Sequence, residues 1–208
     1  MKKAILAALV FIVVGFALVN GTFALPDLDE VFANLTELLG DLSLPTQDTN
    51  GTIDVALVSD NTPQQLYPGG AASRVTRVKN QGTSPVYFRL CYAIQYDESS
   101  WNKLTIDFDT EDYEQTGWRD ITIGNTPYKM MVFTYTKDLA AGDYSPAVTL
   151  TIAMDDTVTS EEISRYRADF LQTQVLAIDS LTFKEKNITT AKEALNLALP
   201  INSNFNPF

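Results

Sequence analysis

From residue 51 onward the apolar residues come in short runs, broken by Gly, Pro, Asn and Asp. Runs at 52–58, 72–79, 86–96, 103–108, 128–135, 147–154 and 170–178, with Ile121 and Ile123 marking another, have the alternation or continuous apolar content of strands. Two turns separate the first three runs, Tyr67-Pro68-Gly69-Gly70 and Asn80-Gln81-Gly82-Thr83-Ser84-Pro85. Proline presets φ, glycine supplies positive φ, and asparagine bonds its own backbone, so both stretches are built to reverse the chain. Gly69-Gly70 is no phosphate loop, because neither a lysine nor a helix follows it. Within 72–79 the alternation is imperfect, and Arg74 and Thr76 are expected to face outward. Strands this short at this spacing predict a mainly β fold, an antiparallel jelly-roll-like β-sandwich with a few peripheral helices, rather than βαβ units.

Helical periodicity occurs in three places. In 26–40, Leu28, Val31, Phe32, Leu35, Leu38 and Leu39 recur at spacings of three and four and Gly40 ends the pattern, predicting an amphipathic helix. Its plain role is packing onto the domain; its sharper role is contact with another subunit. Residues 41–50 read as a linker. Ser160 before Glu161 and Glu162 reads as an N-cap, with Ile163 and Tyr166 following. In 190–199, Ala191, Ala194, Leu195, Ala198 and Leu199 share a face, and Pro200 stops the helix. The tail 201–208 reads as irregular, and no fixed-period repeat is present.

Lys2 and Lys3 precede an uncharged apolar run at 4–19, and Gly21-Thr22-Phe23-Ala24 provides a small-residue exit. This is a secretory signal pattern with cleavage near Ala24, since a retained anchor prefers about 20 apolar residues. The expected organisation is a signal peptide at 1–24, a helix and linker at 25–50, one sandwich domain at 51–200 and a tail at 201–208. A chain of 208 residues is long enough for one such core. Removing Lys2 and Lys3 takes the formal charge from −11 to −13. So acidic a surface repels phosphate backbones and anionic membranes, so the expectation is no nucleic acid and no stable membrane anchor after processing.

Chemistry is sparse. The chain has no histidine, which excludes His-dependent triads, Cys-His dyads and His-ligated zinc. Cys91 is the single cysteine, so no intrachain disulfide can form, and it reads as a buried small hydrophobe. Asp107, Asp109, Glu111 and Asp112 form an acidic patch of the kind that can hold calcium. Asp107 and Asp109 alternate with Ile106 and Phe108, however, as the solvated side of a half-buried strand would, and the EF-hand spacing fails. Paired carboxylates could serve glycosidic cleavage, but nothing in the sequence brings two together. Trp101, Tyr113 and Trp118 could stack on sugar rings, against a plain role in packing. Sequons stand at Asn34, Asn50 and Asn187 and matter only in a glycosylating host. No catalytic, cofactor-binding or metal-ligating residue is assigned, no cofactor is expected, and the chain is not expected to be an enzyme.

Several stretches, in order, carry a resemblance: Asn20-Gly21-Thr22-Phe23-Ala24, Asn50-Gly51-Thr52-Ile53-Asp54-Val55, Tyr67-Pro68-Gly69-Gly70, and Lys79-Asn80-Gln81-Gly82-Thr83-Ser84-Pro85-Val86-Tyr87-Phe88-Arg89-Leu90. Leu139-Ala140-Ala141-Gly142-Asp143, Phe170-Leu171-Gln172-Thr173-Gln174-Val175 and the late Ala-rich helix follow. As an ordered set they resemble the camelysin/TasA-like family of secreted biofilm-matrix and cell-surface proteins. The resemblance implies a jelly-roll-like sandwich, export through a dedicated signal peptidase, and self-association into extracellular filaments by strand addition, in which one subunit's N-terminal segment completes the next subunit's sheet. The protease activity also described in that family is not carried over, because no histidine or zinc motif is present. The chain departs from the simple pattern in the helical period of 25–40: a donor strand drawn from there must give up its helix, or lie near 41–45. The rival expectations are a secreted carbohydrate- or surface-binding module, with matrix polysaccharide as partner, and a secreted enzyme with a carboxylate site.

Overall fold

The computed structural model describes residues 51–59, 66–166 and 170–208, so the expected signal peptide, amphipathic helix and linker lie outside the described residues. Among the described residues nine strands form two antiparallel sheets: β1 (Val55–Ser59), β2 (Ala71–Asn80), β3 (Val86–Gln95), β4 (Leu104–Thr110), β5 (Tyr113–Gln115), β6 (Arg119–Ile123), β7 (Thr126–Tyr135), β8 (Val148–Met154) and β9 (Leu171–Asp179). One sheet runs β1-β2-β8-β4. The other runs β5-β7-β3-β9, with β6 also paired to β7. Most connections cross from one sheet to the other, so that β2-β8-β4 faces β7-β3, which is jelly-roll connectivity. The antiparallel sandwich expected from the short, regularly spaced runs is therefore the fold.

The turns behave as their residues dictate. Gly69 takes φ 72°, and the Gly70 N–H donates to the Tyr67 carbonyl at 2.9 Å, closing a type II turn with Pro68 in its second position. The core between the sheets is built from alternate residues: Val86, Phe88, Leu90, Tyr92 and Ile94 of β3 meet Val148, Leu150 and Ile152 of β8 and Val78 of β2. Each fully buried Val, Leu or Phe contributes about 1.5–3 kcal/mol.

β2 corrects one expectation. Its pairing with β8 sets Thr76 opposite the inward Val148, so Thr76 is buried with Val78 and Asn80, while Ser73 and Arg77 face solvent. Register, which a one-residue shift inverts, overrides the polarity of the side chains here.

β3 is buried at every residue because its other side is covered too. Among the described residues three short α-helices lie late in the chain: α1 (Ser160–Ser164) between β8 and β9, then α2 (Ser180–Lys184) and α3 (Ala191–Ala198) after β9. Ala191, Ala194 and Leu195 of α3 pack on Tyr87 and Ile178. The tail lacks regular structure, as expected, yet Ile201, Phe205 and Phe208 pack over Cys91, Met130 and Val132. The cap of α1 is Thr159 rather than Ser160: its hydroxyl accepts from the Glu162 N–H while Glu162 accepts from the Thr159 N–H, a capping box.

Candidate functional site

The chain enters the sandwich through a clasp made by the Asn80 to Pro85 turn. Gln81 and Gly82 both donate backbone N–H groups to the Asp54 carbonyl, at 2.7 and 2.9 Å, and Thr83 donates to Thr52 at 3.0 Å. Thr52 donates in return to the Thr83 hydroxyl at 2.9 Å. Buried Asn80 shapes the turn from within: its amide donates to the Ser84 and Leu139 carbonyls at 2.8 and 3.0 Å, and its Oδ1 accepts from the Gly82 N–H at 3.0 Å. Glycine is required at 82 by close approach, since a Cβ there would stand 2.1 Å from the Thr52 carbonyl oxygen. The clasp fixes where β1 begins.

β1 and β9 are edge strands of opposite sheets and lie against each other on one flank. β1 pairs with Thr76–Asn80 of β2, and Val58, opposite the outward Arg77, is 41% exposed on the outer side of its sheet. On the inner side of β2, β3 and β9, Thr76 Oγ1, Tyr92 Oη and Thr173 Oγ1 are buried and make no well-formed hydrogen bond among the described residues, although the Thr76 and Tyr92 hydroxyls are neighbours. They come from β2, β3 and β9, and Tyr92 stands directly opposite Thr173 in the ladder. Burial pushes the Tyr92 hydroxyl up to about 12, partly offset by the Thr76 hydroxyl and Arg74 beside it. A buried hydroxyl left without a partner costs about 1–3 kcal/mol, so the flank would gain from a polar group inserted into it.

The other sequence candidates do not converge. Trp101 and Trp118 meet edge to face at 5.6 Å, with Phe108 on Trp118 at 6.1 Å and Tyr96 on Trp101 at 5.6 Å. Tyr113 instead belongs to the interior, against Phe88 and Tyr135, with its hydroxyl donating to the Pro146 carbonyl at 3.1 Å. Burial raises its pKa. Trp118, 37% exposed, is the most exposed of the three, Trp101 and Tyr113 being half-buried. A shallow hollow of about 310 Å³ lies between Tyr96, Asp120, Ile121, Thr122, Pro127 and Lys129. Lys129 is already engaged there, 2.5 Å from Asp120 and 4.6 Å above the Tyr96 ring.

Asp107 and Asp109 lie on the exposed side of β4, as the alternation predicts. Asp112 turns away into an ion pair with Lys137 at 2.5 Å. Among the described residues, no group of three His, Cys, Asp or Glu side chains is placed to hold a metal ion. Cys91 is fully buried, and burial raises its thiol to about 12. Among the described residues, no helix is long and apolar enough to cross a membrane.

Arg89 is the residue that pattern reading misses. It is only 1% exposed, and its guanidinium donates to the Thr134 hydroxyl at 3.2 Å, to the Leu195 and Leu199 carbonyls at 3.3 and 2.5 Å, and to the Asn196 side-chain oxygen. It thus meets the electronegative end of α3, where a cation is favoured, while burial lowers its pKa.

Comparison with protein-family models finds no match, and comparison with curated proteins finds none. Among solved structures the chain is similar to AvmM, which catalyzes macrocyclization in alchivemycin A biosynthesis, with a TM-score of 0.38 and 10% identity over 60% of this chain and 88% of that one.

Proposed function

We propose that this is a secreted structural protein, a subunit or accessory component of extracellular biofilm-matrix fibres, in which neighbouring copies join by strand addition. The observation that supports this reading is the flank where the edge strands β1 and β9 lie against each other, with the buried hydroxyls of Thr76, Tyr92 and Thr173 poorly satisfied among the described residues. A strand laid along an edge gains a row of backbone hydrogen bonds, and alternate side chains reach inward to satisfy buried groups. The clasp at Thr52 to Asp54 holds the root of the segment that would reach a neighbour. Export by the signal at 1–24, with a dedicated signal peptidase as partner, places the subunit in the matrix or at the cell surface under this reading. The test is electron microscopy of the chain beginning at Leu25 over a concentration series, with filaments expected above a threshold concentration. A second reading, a carbohydrate-binding module, draws only on the partly exposed ring of Trp118.

A further inference from the structure

The two outer faces of the sandwich are unlike. The β7-β3-β9 sheet is covered by α3 and the tail, whereas among the described residues no element packs on the outer side of the β1-β2-β8-β4 sheet. That outer side carries Ser73, Val75, Arg77 and Lys79 on β2, Thr149 and Thr151 on β8, and Asp107 and Asp109 on β4, with exposed Val58 of β1 beside Arg77 and the exposed Tyr144 ring 5.2 Å from the Lys79 ammonium. Its centre is flat and made of small side chains, with the Ser73 and Thr151 hydroxyls bonded at 2.9 Å. Charge is divided across it: Arg77 and Lys79 lie on β2, Asp107 and Asp109 on β4, two strands away. Arg77, Asp107 and Asp109 are exposed and form no ion pair among the described residues.

We infer that this face binds a second copy of the chain, face to face, with Arg77 of each copy against Asp109 of the other, and with Lys79 and Asp107 adding to the opposite charge of the two facing strands. The geometry is self-complementary. A two-fold axis parallel to β8, between two faces packed about 10 Å apart, sets the β2 of each copy opposite the β4 of the other. Asp109 shares a row with Thr149 and Val75. Arg77 lies two residues further along, about 6.8 Å, which an arginine side chain spans. Small residues at the centre let the sheets approach. An apolar partner is disfavoured, because it would strip the charges of water without replacing it. This contact uses an outer face and not the β1/β9 flank, so it holds or fails apart from strand addition.

The test is sedimentation of the chain beginning at Leu25, and of one beginning at Asp48, with two charge-reversed variants, Arg77→Glu with Lys79→Glu and Asp107→Lys with Asp109→Lys. The wild type is expected to form pairs at low salt that dissociate as salt rises, because such contacts are screened within about 10 Å at 0.1 M. Each variant alone should associate at least about tenfold more weakly, since like charges then face each other. Mixing the two variants should restore pairing, as each then offers a single sign that matches the other. Pairs untouched by both reversals, a mixture that stays monomeric, or a wild type monomeric at every concentration and salt would overturn the inference. Pairing only in the chain that begins at Asp48 would overturn it too, by making residues 25–47 the occupant of the face. Filaments in micrographs report on strand addition alone, and their presence or absence leaves these outcomes distinct.

Discussion

The buried guanidinium of Arg89, near the middle of β3, donates to the carbonyl of Leu199 at 2.5 Å, so the C-terminal cap of α3 is tied to the central strand of its sheet across 110 residues of sequence. Arg89 also reaches Leu195 and Asn196, so one cation holds the whole end of the helix. The tail that follows, 201–208, is kept over Cys91 by this anchor and by two further bonds, from Arg119 to the Asn202 carbonyl and from Asn206 to the Thr122 carbonyl at 3.0 Å.

Replacing Arg89 with methionine keeps the volume and leaves the carbonyls of α3 buried without donors. The expected loss is about 2–4 kcal/mol in urea unfolding. Loosening should concentrate in α3 and the tail, so Cys91 in the variant should react with a thiol reagent at least about tenfold faster under native conditions. Unchanged Cys91 reactivity would show that the tail is held without Arg89.

Gly82→Ala tests the clasp. The added methyl would meet the Thr52 carbonyl at 2.1 Å, a backbone atom that cannot rotate away. The bonds from Gln81, Gly82 and Thr83 to Asp54 and Thr52 must lengthen or break, at an expected cost of about 2–4 kcal/mol. Hydrogen exchange should speed up at these three amides ahead of those in β3.

Glu162 gives the fold an acid-sensitive contact. Lys103, 2.7 Å away, and the Thr159 N–H hold its carboxyl at about 2, below the ordinary 4.5. A depressed pKa stabilises the fold above the unfolded value and loses that contribution as pH falls through the folded one. The stability gap between wild type and Glu162→Gln should therefore be full above about pH 4.5 and close toward pH 2. A gap independent of pH in denaturant titrations would refute the ion pair's part in it.

Trp118→Ala separates the two functional readings. Trp118 meets Trp101 and Phe108 at the edge of the sandwich, away from the β1/β9 flank. Under strand addition the variant should form filaments at the wild-type threshold. Wild-type protein pulled down by matrix polysaccharide, with the binding lost in the variant, would favour the carbohydrate-binding module.

Most strands were legible because sandwich strands carry their partners' polarity in their own alternation: Leu104, Ile106 and Phe108 turn inward while Asp107 and Asp109 turn out. Short β5, with Tyr113, Glu114 and Gln115, has too few residues to show a period and exists only through pairing with β7. α2 is a single turn capped by Asp179, whose side chain accepts from the Leu181 N–H at 2.9 Å. Arg89 looks like a solvent-facing residue in a strand because the groups that bury it come from α3, far along the chain. For the same reason the tail's Phe205 and Phe208 give no local sign that they cover a sheet. The candidate flank was even less visible, since Thr76, Tyr92 and Thr173 are ordinary strand residues until two sheets bring them together. The aromatic set of Trp101, Tyr113 and Trp118, weighed for ring stacking against a plain role in packing, is split between a rim and the core.

Sedimentation of two chains, one beginning at Leu25 and one at Asp48, tests the central claim most directly. Strand addition predicts that the longer chain forms polymer above a threshold concentration while the shorter one, still folded by circular dichroism, forms none. Equal polymer from both chains, or none from the longer chain at any concentration, would contradict it.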